Sequence, residues 1–85
     1  MKNIEIYTGP LCAFCDRAIA LLNKKGVSFK KIDLASNPNK MEEMIKKANG
    51  MRTVPQIFVD GQHIGDNDKL HALERDGKLN SLLGV

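Results

Sequence analysis

The sequence contains no tryptophan, a single tyrosine and three phenylalanines, so aromatic side chains are scarce. It also lacks a strong charge of either sign, because 13 lysine and arginine residues are nearly balanced by 10 acidic residues, which leaves a net charge of +3. Nucleic-acid binding usually needs a basic surface, and binding of single strands needs aromatic rings on which bases stack. The sequence offers neither, and we therefore expect no nucleic-acid partner.

No apolar run in the sequence has the length that spans a membrane, and Glu5 interrupts the apolar residues near the start. The segment Met1–Ile6 therefore shows neither a signal peptide nor an anchor. The two cysteines are too few for the disulfide framework of a small secreted domain. We expect a cytoplasmic protein without a membrane partner. The mature part of an exported protein would look the same, because a cleaved signal leaves no trace.

The length limits the fold, because 85 residues fill one small hydrophobic core and leave none for a second. We predict one domain over residues 1–85, without repeats or linkers. Its first half is predicted to contain a strand at Lys2–Tyr7, a helix at Ala13–Lys25 and a strand at Val27–Leu34. The alternation in the last strand slips at Lys30-Lys31, which predicts a bulge or an early strand end there.

A second helix is predicted to follow, with Asn37 as its N-cap and Pro38 as its first residue. Gly50 would end this helix. Met41 and Met44 lie on one of its faces, at the spacing of a helix stripe that packs into a core. We interpret them as core residues rather than as metal ligands.

Asp60-Gly61 is a two-residue hairpin signal that follows the apolar strand Ile57–Val59. Asp66 or Asn67 can cap the next helix, and a short helical turn is predicted at Leu79–Leu83. The order βαβαββα requires parallel pairing in the first unit and antiparallel pairing in the hairpin. We therefore predict an α/β fold in which a four-stranded mixed sheet carries helices on both faces.

The two cysteines lie in one unit, Cys12-Ala13-Phe14-Cys15, between a predicted strand and a predicted helix. A thiol just ahead of a helix meets the partial positive charge and the unpaired N–H groups of the helix N-terminus. Both favour the thiolate, which is the nucleophile in disulfide exchange. A second thiol one helical turn later can resolve a mixed disulfide formed on the first. The unit therefore indicates a thioredoxin-like redox motif.

Two other interpretations of the cysteine pair are a zinc site and two inert core thiols. Zinc needs four ligands or an open catalytic site, and the histidines that remain as ligands are His63 and His71. Their spacing is not that of a zinc finger, so we assign no metal site and give the histidines no role. Inert burial fits poorly, because Cys12 follows the loop Gly9-Pro10, where exposure is expected.

Four segments together resemble a glutaredoxin of the small dithiol type: Ile6-Tyr7-Thr8, Cys12–Cys15, Thr53–Phe58 and Gly65–Asp68. The resemblance covers nearly the whole chain and implies a thioredoxin-like fold with glutathione-dependent thiol–disulfide exchange. It implies that Cys12 is the nucleophile, that the more buried Cys15 is the resolving thiol, and that glutathione is the co-substrate. The expected partners are glutathione and proteins that carry disulfides or glutathione mixed disulfides. The expected state is a monomer.

The same resemblance implies a glutathione site. Its residues are Phe14, Arg52, Thr53, Val54, Pro55, Asp66, Asn67 and Asp68. A cis bond before Pro55 would present the backbone of Val54 to the ligand, whereas without the resemblance a plain proline at a strand start is the better interpretation. The helix end at Asp68 would bind the γ-glutamyl group, with capping alone as the alternative. Arg52 would bind the glycine carboxylate, and an ordinary exposed arginine is an equal alternative.

The chain departs from the family pattern at three positions. Gly9 stands where a lysine is common, which removes a cation near the Cys12 sulfur. Ala13 stands where proline is common, and some glutaredoxins without that proline hold a 2Fe–2S cluster together with glutathione. Iron–sulfur binding through Cys12 is therefore the alternative function. Asp66 replaces a glycine and adds negative charge near the glutamyl carboxylate. A donor served by thioredoxin reductase is a third hypothesis, which the glutathione-type residues at both ends of the site disfavour.

Overall fold

Four strands and four helices follow one another along residues 2–85, the residues that the computed structural model describes. The elements are β1 (Ile4–Thr8), α1 (Ala13–Lys24), β2 (Lys30–Asp33), α2 (Lys40–Lys47), β3 (Gln56–Val59), β4 (Gln62–Gly65), α3 (Asn67–Arg75) and α4 (Leu79–Leu83). Their order confirms the predicted succession, with α4 as the short helical turn at the C-terminal end. None of the helices in this part of the chain combines the length and the apolar character that crossing a bilayer requires.

The strands form one sheet in the spatial order β2-β1-β3-β4, so β2 and β4 are its edges. β1 pairs in parallel with β2, where Glu5 lies opposite Lys30, and antiparallel with β3. The hairpin of β3 and β4 turns through Asp60 and Gly61, whose φ angles of 51° and 82° are positive, as a type I′ turn requires. The predicted mixed sheet and its hairpin are confirmed.

Successive residues of β1 point to opposite faces of the sheet, and helices cover both faces. Ile4 and Ile6 face a core to which α1, α3 and α4 contribute. Its buried members are Ile4, Ile6, Ala18, Leu21, Leu22, Val27, Ile57, Val59, Leu70, Leu79 and Leu83. Tyr7 and Phe58 face the other way and pack with Met44 of α2. The predicted placement of helices on both faces is therefore confirmed, and so is the interpretation of the methionines as core residues.

Strand β2 is shorter than the predicted strand at Val27–Leu34, because pairing with β1 starts only at Lys30. Val27 is 7% exposed and Phe29 is partly buried, so their alternation reflects packing against the core before the strand begins. Lys30 and Lys31 are both exposed at the edge of the sheet. The slip in the sequence pattern therefore marks the start of β2, and the prediction of a bulge or an early strand end at Lys30-Lys31 is wrong, because β2 runs from Lys30 to Asp33 in a continuous register with β1.

Helix α2 begins at Lys40, so the prediction that Asn37 caps a helix starting at Pro38 is wrong. Asn37 Nδ2 instead donates a hydrogen bond to Asp33 O at 3.1 Å. The side chain of Asn37 thus closes a turn that leads out of β2, a role for which asparagine is as well suited as for capping. Gly50, at a φ of 90°, follows the end of α2 as predicted.

Candidate active site

A disulfide joins Cys12 and Cys15, whose Cα atoms lie 5.2 Å apart, so neither thiol is free. Cys12 is the N-cap of α1 and has extended backbone angles, whereas Cys15 lies in the first turn of that helix. The loop after β1 places Cys12 at the carboxyl edge of the parallel pair of β1 and β2. The cysteine pair therefore lies where the sequence predicts it, at the junction between a strand and a helix.

Cys12 Sγ accepts a hydrogen bond from Cys15 N–H at 3.1 Å, in the position that a side-chain oxygen takes in most N-caps. Once the disulfide is reduced, the same N–H and the positive end of the α1 dipole can stabilise negative charge on this sulfur. Asp16 puts a carboxylate in the same turn and opposes part of this effect. The geometry is that of a sulfur prepared to carry negative charge.

The two sulfurs differ in their access to solvent. Cys12 is partly buried, whereas Cys15 is 2% exposed and lies on the buried face of α1. Val54 O lies 3.8 Å from Cys12 Sγ. Because a disulfide sulfur has no proton to donate, this approach is a contact, and it becomes a hydrogen bond only with the reduced thiol. The prediction that Cys15 is the more buried cysteine is confirmed.

The peptide bond between Val54 and Pro55 is cis, which confirms the conformation predicted for this loop. Thr53, Val54 and Pro55 contribute to the wall of a cleft of about 260 Å³. The residues that line the cleft are Phe14, Thr53, Val54, Pro55, Asp66, Asn67 and Asp68. All of them belong to the predicted glutathione site, so the fold brings α1, the loop before β3 and the start of α3 together around one cleft.

Arg52, the remaining residue of the predicted site, lines a neighbouring apolar groove of about 390 Å³. Val54 lines both the cleft and the groove, so the two hollows meet at this residue. Gly9 also lines the groove, and a Cβ atom at this position would lie 3.2 Å from Val54 Cγ2. The structure therefore brings Arg52 next to the cleft without placing it in the cleft wall, and its role in binding stays a prediction.

The end of the cleft at α3 is built around Asp66, the N-cap of that helix, whose Oδ1 accepts a hydrogen bond from Lys69 N–H at 3.0 Å. This confirms the predicted cap. Asn67 is 6% exposed, and its Oδ1 has no hydrogen-bond partner among residues 2–85. Asp68 is exposed. This end of the cleft therefore offers a helix N-terminus, which suits a carboxylate, beside oxygen atoms that suit an ammonium group.

Two residues next to the cleft have structural roles that we did not predict from the sequence. Gln56 in β3 is 0% exposed, and its Nε2 donates a hydrogen bond to Thr53 O at 3.0 Å. His63 in β4 meets Gln56 Oε1 through its Nε2 at 2.7 Å. Burial lowers the pKa of His63, and the charge of Asp66 opposes this change. The signal for the contact was a glutamine directly before the apolar run Ile57–Val59, because a buried amide needs a partner.

Comparisons with known proteins agree with this geometry. A family model described as Glutaredoxin matches residues 4–64. The chain is 54% identical over 83 residues to Glutaredoxin 3 of Escherichia coli, and these aligned residues cover 98% of this chain and 99% of that relative. It is similar to the solution structure of a glutaredoxin from Brucella melitensis, with 47% identity, a TM-score of 0.84, and coverage of 98% of this chain and 89% of the other. It is also similar to a crystal structure of a buckwheat glutaredoxin–glutathione complex, with 29% identity, a TM-score of 0.86, and coverage of 98% and 77%. These structures confirm the predicted thioredoxin-like fold.

Proposed function

The chain belongs to the glutaredoxin family and is a thiol–disulfide oxidoreductase, and we propose that it uses glutathione to reduce protein disulfides and glutathione mixed disulfides. The observation that carries the proposal is the position of Cys12 Sγ, which accepts the Cys15 N–H at the start of α1 and lies 3.8 Å from Val54 O. Val54 borders the cleft, so the sulfur that is prepared for attack lies beside a site of suitable size for a small peptide.

With a glutathionylated protein as substrate, the Cys12 thiolate attacks the sulfur of the glutathione moiety. The bond from that sulfur to the protein sulfur breaks, and the protein leaves as a thiolate that takes up a proton. A second glutathione thiolate then attacks the glutathione sulfur bound to Cys12. Glutathione disulfide leaves, and Cys12 returns to the thiolate, so this reaction needs no second cysteine.

With a protein disulfide as substrate, Cys12 forms a mixed disulfide with one protein sulfur and releases the other as a thiolate. Cys15 Sγ then attacks Cys12 Sγ, the second protein thiolate leaves, and the enzyme is left with the Cys12–Cys15 disulfide. Two glutathione molecules supply the two electrons that reopen it and become glutathione disulfide. The low exposure of Cys15, 2%, fits a sulfur that reacts only with the neighbouring cysteine.

In the proposed complex, glutathione lies along Val54 as an added strand and pairs with its backbone N–H and C=O. Phe14, which is 55% exposed, covers one side of the cleft with its ring. The N-terminus of α3 binds the γ-glutamyl carboxylate, and Asp68 pairs with the γ-glutamyl ammonium group. Asn67 Oδ1, buried and unpartnered within the described residues, supplies a further acceptor.

Arg52 keeps its predicted role in this proposal as the partner of the glycine carboxylate. It lines the groove that shares Val54 with the cleft, so a tripeptide paired with Val54 can extend from Asp68 toward Arg52. The charges at the two ends of the site then match those of the ligand. The carboxylate of Asp66 repels the γ-glutamyl carboxylate, which we expect to weaken binding.

We further propose that the enzyme works as a monomer in the cytoplasm, where reduced glutathione regenerates its cysteine pair. Its protein partners are those with accessible disulfides or glutathionylated cysteines. The proposal includes no membrane or nucleic-acid partner.

Deglutathionylation of a mixed-disulfide peptide, coupled to glutathione reductase, tests the two cysteine roles with a matched pair of variants. Each variant replaces one sulfur by oxygen. We expect Cys12→Ser to lose the activity, because the nucleophile is gone, and Cys15→Ser to retain much of it, because this reaction needs no second cysteine. With a protein disulfide as substrate, both variants should be inactive. Full activity of Cys12→Ser with either substrate would show that the proposed mechanism is wrong.

A further inference from the structure

A continuous chain of side-chain contacts leads from Asn49, just after α2, across the hairpin to the loop that contains Pro55. Asn49 Nδ2 lies 3.4 Å from His63 Nδ1, and His63 Nε2 lies 2.7 Å from Gln56 Oε1. Gln56 Nε2 donates hydrogen bonds to Thr53 O at 3.0 Å and to Thr53 Oγ1 at 3.4 Å. This series of contacts therefore ends at Thr53, a residue of the cleft wall.

The Thr53 carbonyl, at the end of this series of contacts, determines the direction of each hydrogen bond. A carbonyl oxygen only accepts, so Gln56 must turn its NH₂ toward Thr53 O and its Oε1 toward His63. Oε1 then requires a proton on His63 Nε2, which leaves Nδ1 of the neutral ring to accept from Asn49 Nδ2. If the Gln56 amide were turned over, its Oε1 would face Thr53 O, and two acceptors would meet without a proton between them. His63 therefore holds Gln56 in the orientation that donates to Thr53.

Burial makes this attachment durable, because Gln56 is 0% exposed and solvent does not compete for its amide. Val54 of the loop that it holds packs against the core around Tyr7 and Phe58, but the loop has little other polar support. Outside the regular elements, the backbone–backbone hydrogen bonds of residues 2–85 include none from Arg52, Thr53 or Val54. The side chain of Gln56 is thus the main polar attachment of this loop to the sheet.

Because Gln56 fixes the direction of Thr53 O, it also fixes the direction of the next N–H group, that of Val54. The peptide bond from Thr53 to Val54 is trans, because the cis bond found in the described chain is the one between Val54 and Pro55. In a planar trans peptide, the C=O and the N–H point in opposite directions. With Thr53 O turned inward to Gln56, Val54 N–H points away from the core, where Val54 borders the cleft.

We propose that Gln56 and His63 are positioning residues that hold Val54 N–H in the orientation that binds the peptide part of a glutathione substrate. This inference rests on the proposed function. Neither side chain lines the cleft, so both act through the peptide group between Thr53 and Val54. They should therefore set the affinity for the substrate and leave the rate of sulfur exchange at Cys12 nearly unchanged.

Gln56→Met tests the proposal, because methionine keeps the length of the side chain and removes both polar groups. Gln62→Met is the matched control, with the same change at an exposed position of β4. We expect Gln56→Met to raise the KM for a glutathionylated peptide about five- to tenfold with little change in kcat, the split that follows when only binding is lost. Gln62→Met should leave both constants unchanged.

His63 provides a second pair of variants that does not alter the buried glutamine. His63→Phe keeps a ring against Phe58, whose centroid lies 5.1 Å from the imidazole, but removes the donor to Gln56 Oε1. We expect a smaller rise in KM of the same kind. His63→Gln restores an N–H donor and should return the KM toward the original value. This pair decides the question if Gln56→Met does not fold.

Binding of S-methylglutathione and the amide resonance of Val54 separate this proposal from the proposed function. In a Cys12→Ser, Cys15→Ser background, Gln56→Met should shift the Val54 amide resonance before ligand is added and weaken S-methylglutathione binding by the same factor as the KM. An unchanged Val54 resonance, or equal KM values for Gln56→Met and Gln62→Met, would overturn the positioning role. If the original protein did not bind S-methylglutathione, the proposed function would fail, and the Val54 resonance alone would decide the orientation.

Discussion

Asp66 caps α3 and adds a carboxylate to the cleft, and two substitutions can separate these effects. Its Oδ1 accepts the Lys69 N–H at 3.0 Å, so alanine at this position would leave that N–H without its side-chain partner. Loss of an N-cap of this kind costs about 1 kcal/mol in the free energy of unfolding. In a domain of this size, that cost lowers Tm by about 4–8 °C.

Asp66→Asn is the matched variant, because asparagine caps helices as well as aspartate does but carries no charge. We expect Asp66→Ala to lose about 1 kcal/mol of stability and Asp66→Asn to lose only a few tenths. Both variants remove a negative charge near the proposed position of the γ-glutamyl carboxylate. A screened repulsion of about 0.5–1 kcal/mol would then disappear, and the KM for a glutathionylated peptide should fall about two- to fivefold in both.

Urea unfolding measures the stability of the variants, and steady-state kinetics with the glutathionylated peptide measures KM. An equal loss of stability in the alanine and asparagine variants would refute the capping role of Asp66. A KM that stays the same or rises in Asp66→Asn would refute the repulsion. Asp68→Asn makes the same change two residues later and should raise the KM, because Asp68 is proposed to pair with the ligand ammonium group. Opposite signs at these two positions are the decisive result.

Three other outcomes are expected. Burial lowers the pKa of His63 in the folded protein. On acidification, the unfolded chain therefore binds a proton at His63 before the folded protein does, and the free energy of unfolding falls as the pH drops below about 6.5. His63→Gln should lack this component, and an equal loss of stability in both proteins between neutral and mildly acidic pH would contradict it. A Cβ atom on Gly65 would lie 2.7 Å from a side-chain atom of α3, so Gly65→Ala should lower the free energy of unfolding by about 1–3 kcal/mol. Alanine is also strained by the positive φ at both positions, 136° at Gly65 and 82° at Gly61, so Gly61→Ala is the control for backbone strain. Its Cβ atom would meet nothing within 4 Å, so it should lose less stability, and equal urea midpoints would count against the clash. In the reduced protein, iodoacetamide should modify Cys12 well before Cys15, which is 2% exposed, and equal labelling in peptide mass spectra would contradict the difference in access.

Local signals in the sequence were enough to place the cysteine pair at the start of α1 and the hairpin turn at Asp60-Gly61. Each depends on a few adjacent residues: a thiol ahead of a helical pattern, and two residues that tolerate positive φ. The cleft needed the resemblance to a family, because Phe14, the loop before β3 and the start of α3 are brought together only by the fold.

At Asn37 and at Gln56, the structure differs from the sequence pattern for physical reasons. Asparagine suits both a turn and an N-cap, and at Asn37 the bond to Asp33 O decided in favour of the turn. The contact of Gln56 with His63 depends on pairing across the hairpin. The two-residue turn sets Phe58 opposite His63, and Gln56 lies on the same face of the sheet as Phe58. The signal for this contact was therefore present in the sequence, but it required the strand register as well as the strand positions.

Strand β2 forms an outer edge of the sheet, and its first two residues, Lys30 and Lys31, are exposed cations. An open strand edge can accept a strand from another molecule, whereas exposed lysines there make two such edges repel each other. We therefore expect copies of the protein to resist joining edge to edge at high concentration. β1, whose end leads to Cys12, lies inside the sheet and is shielded from such pairing.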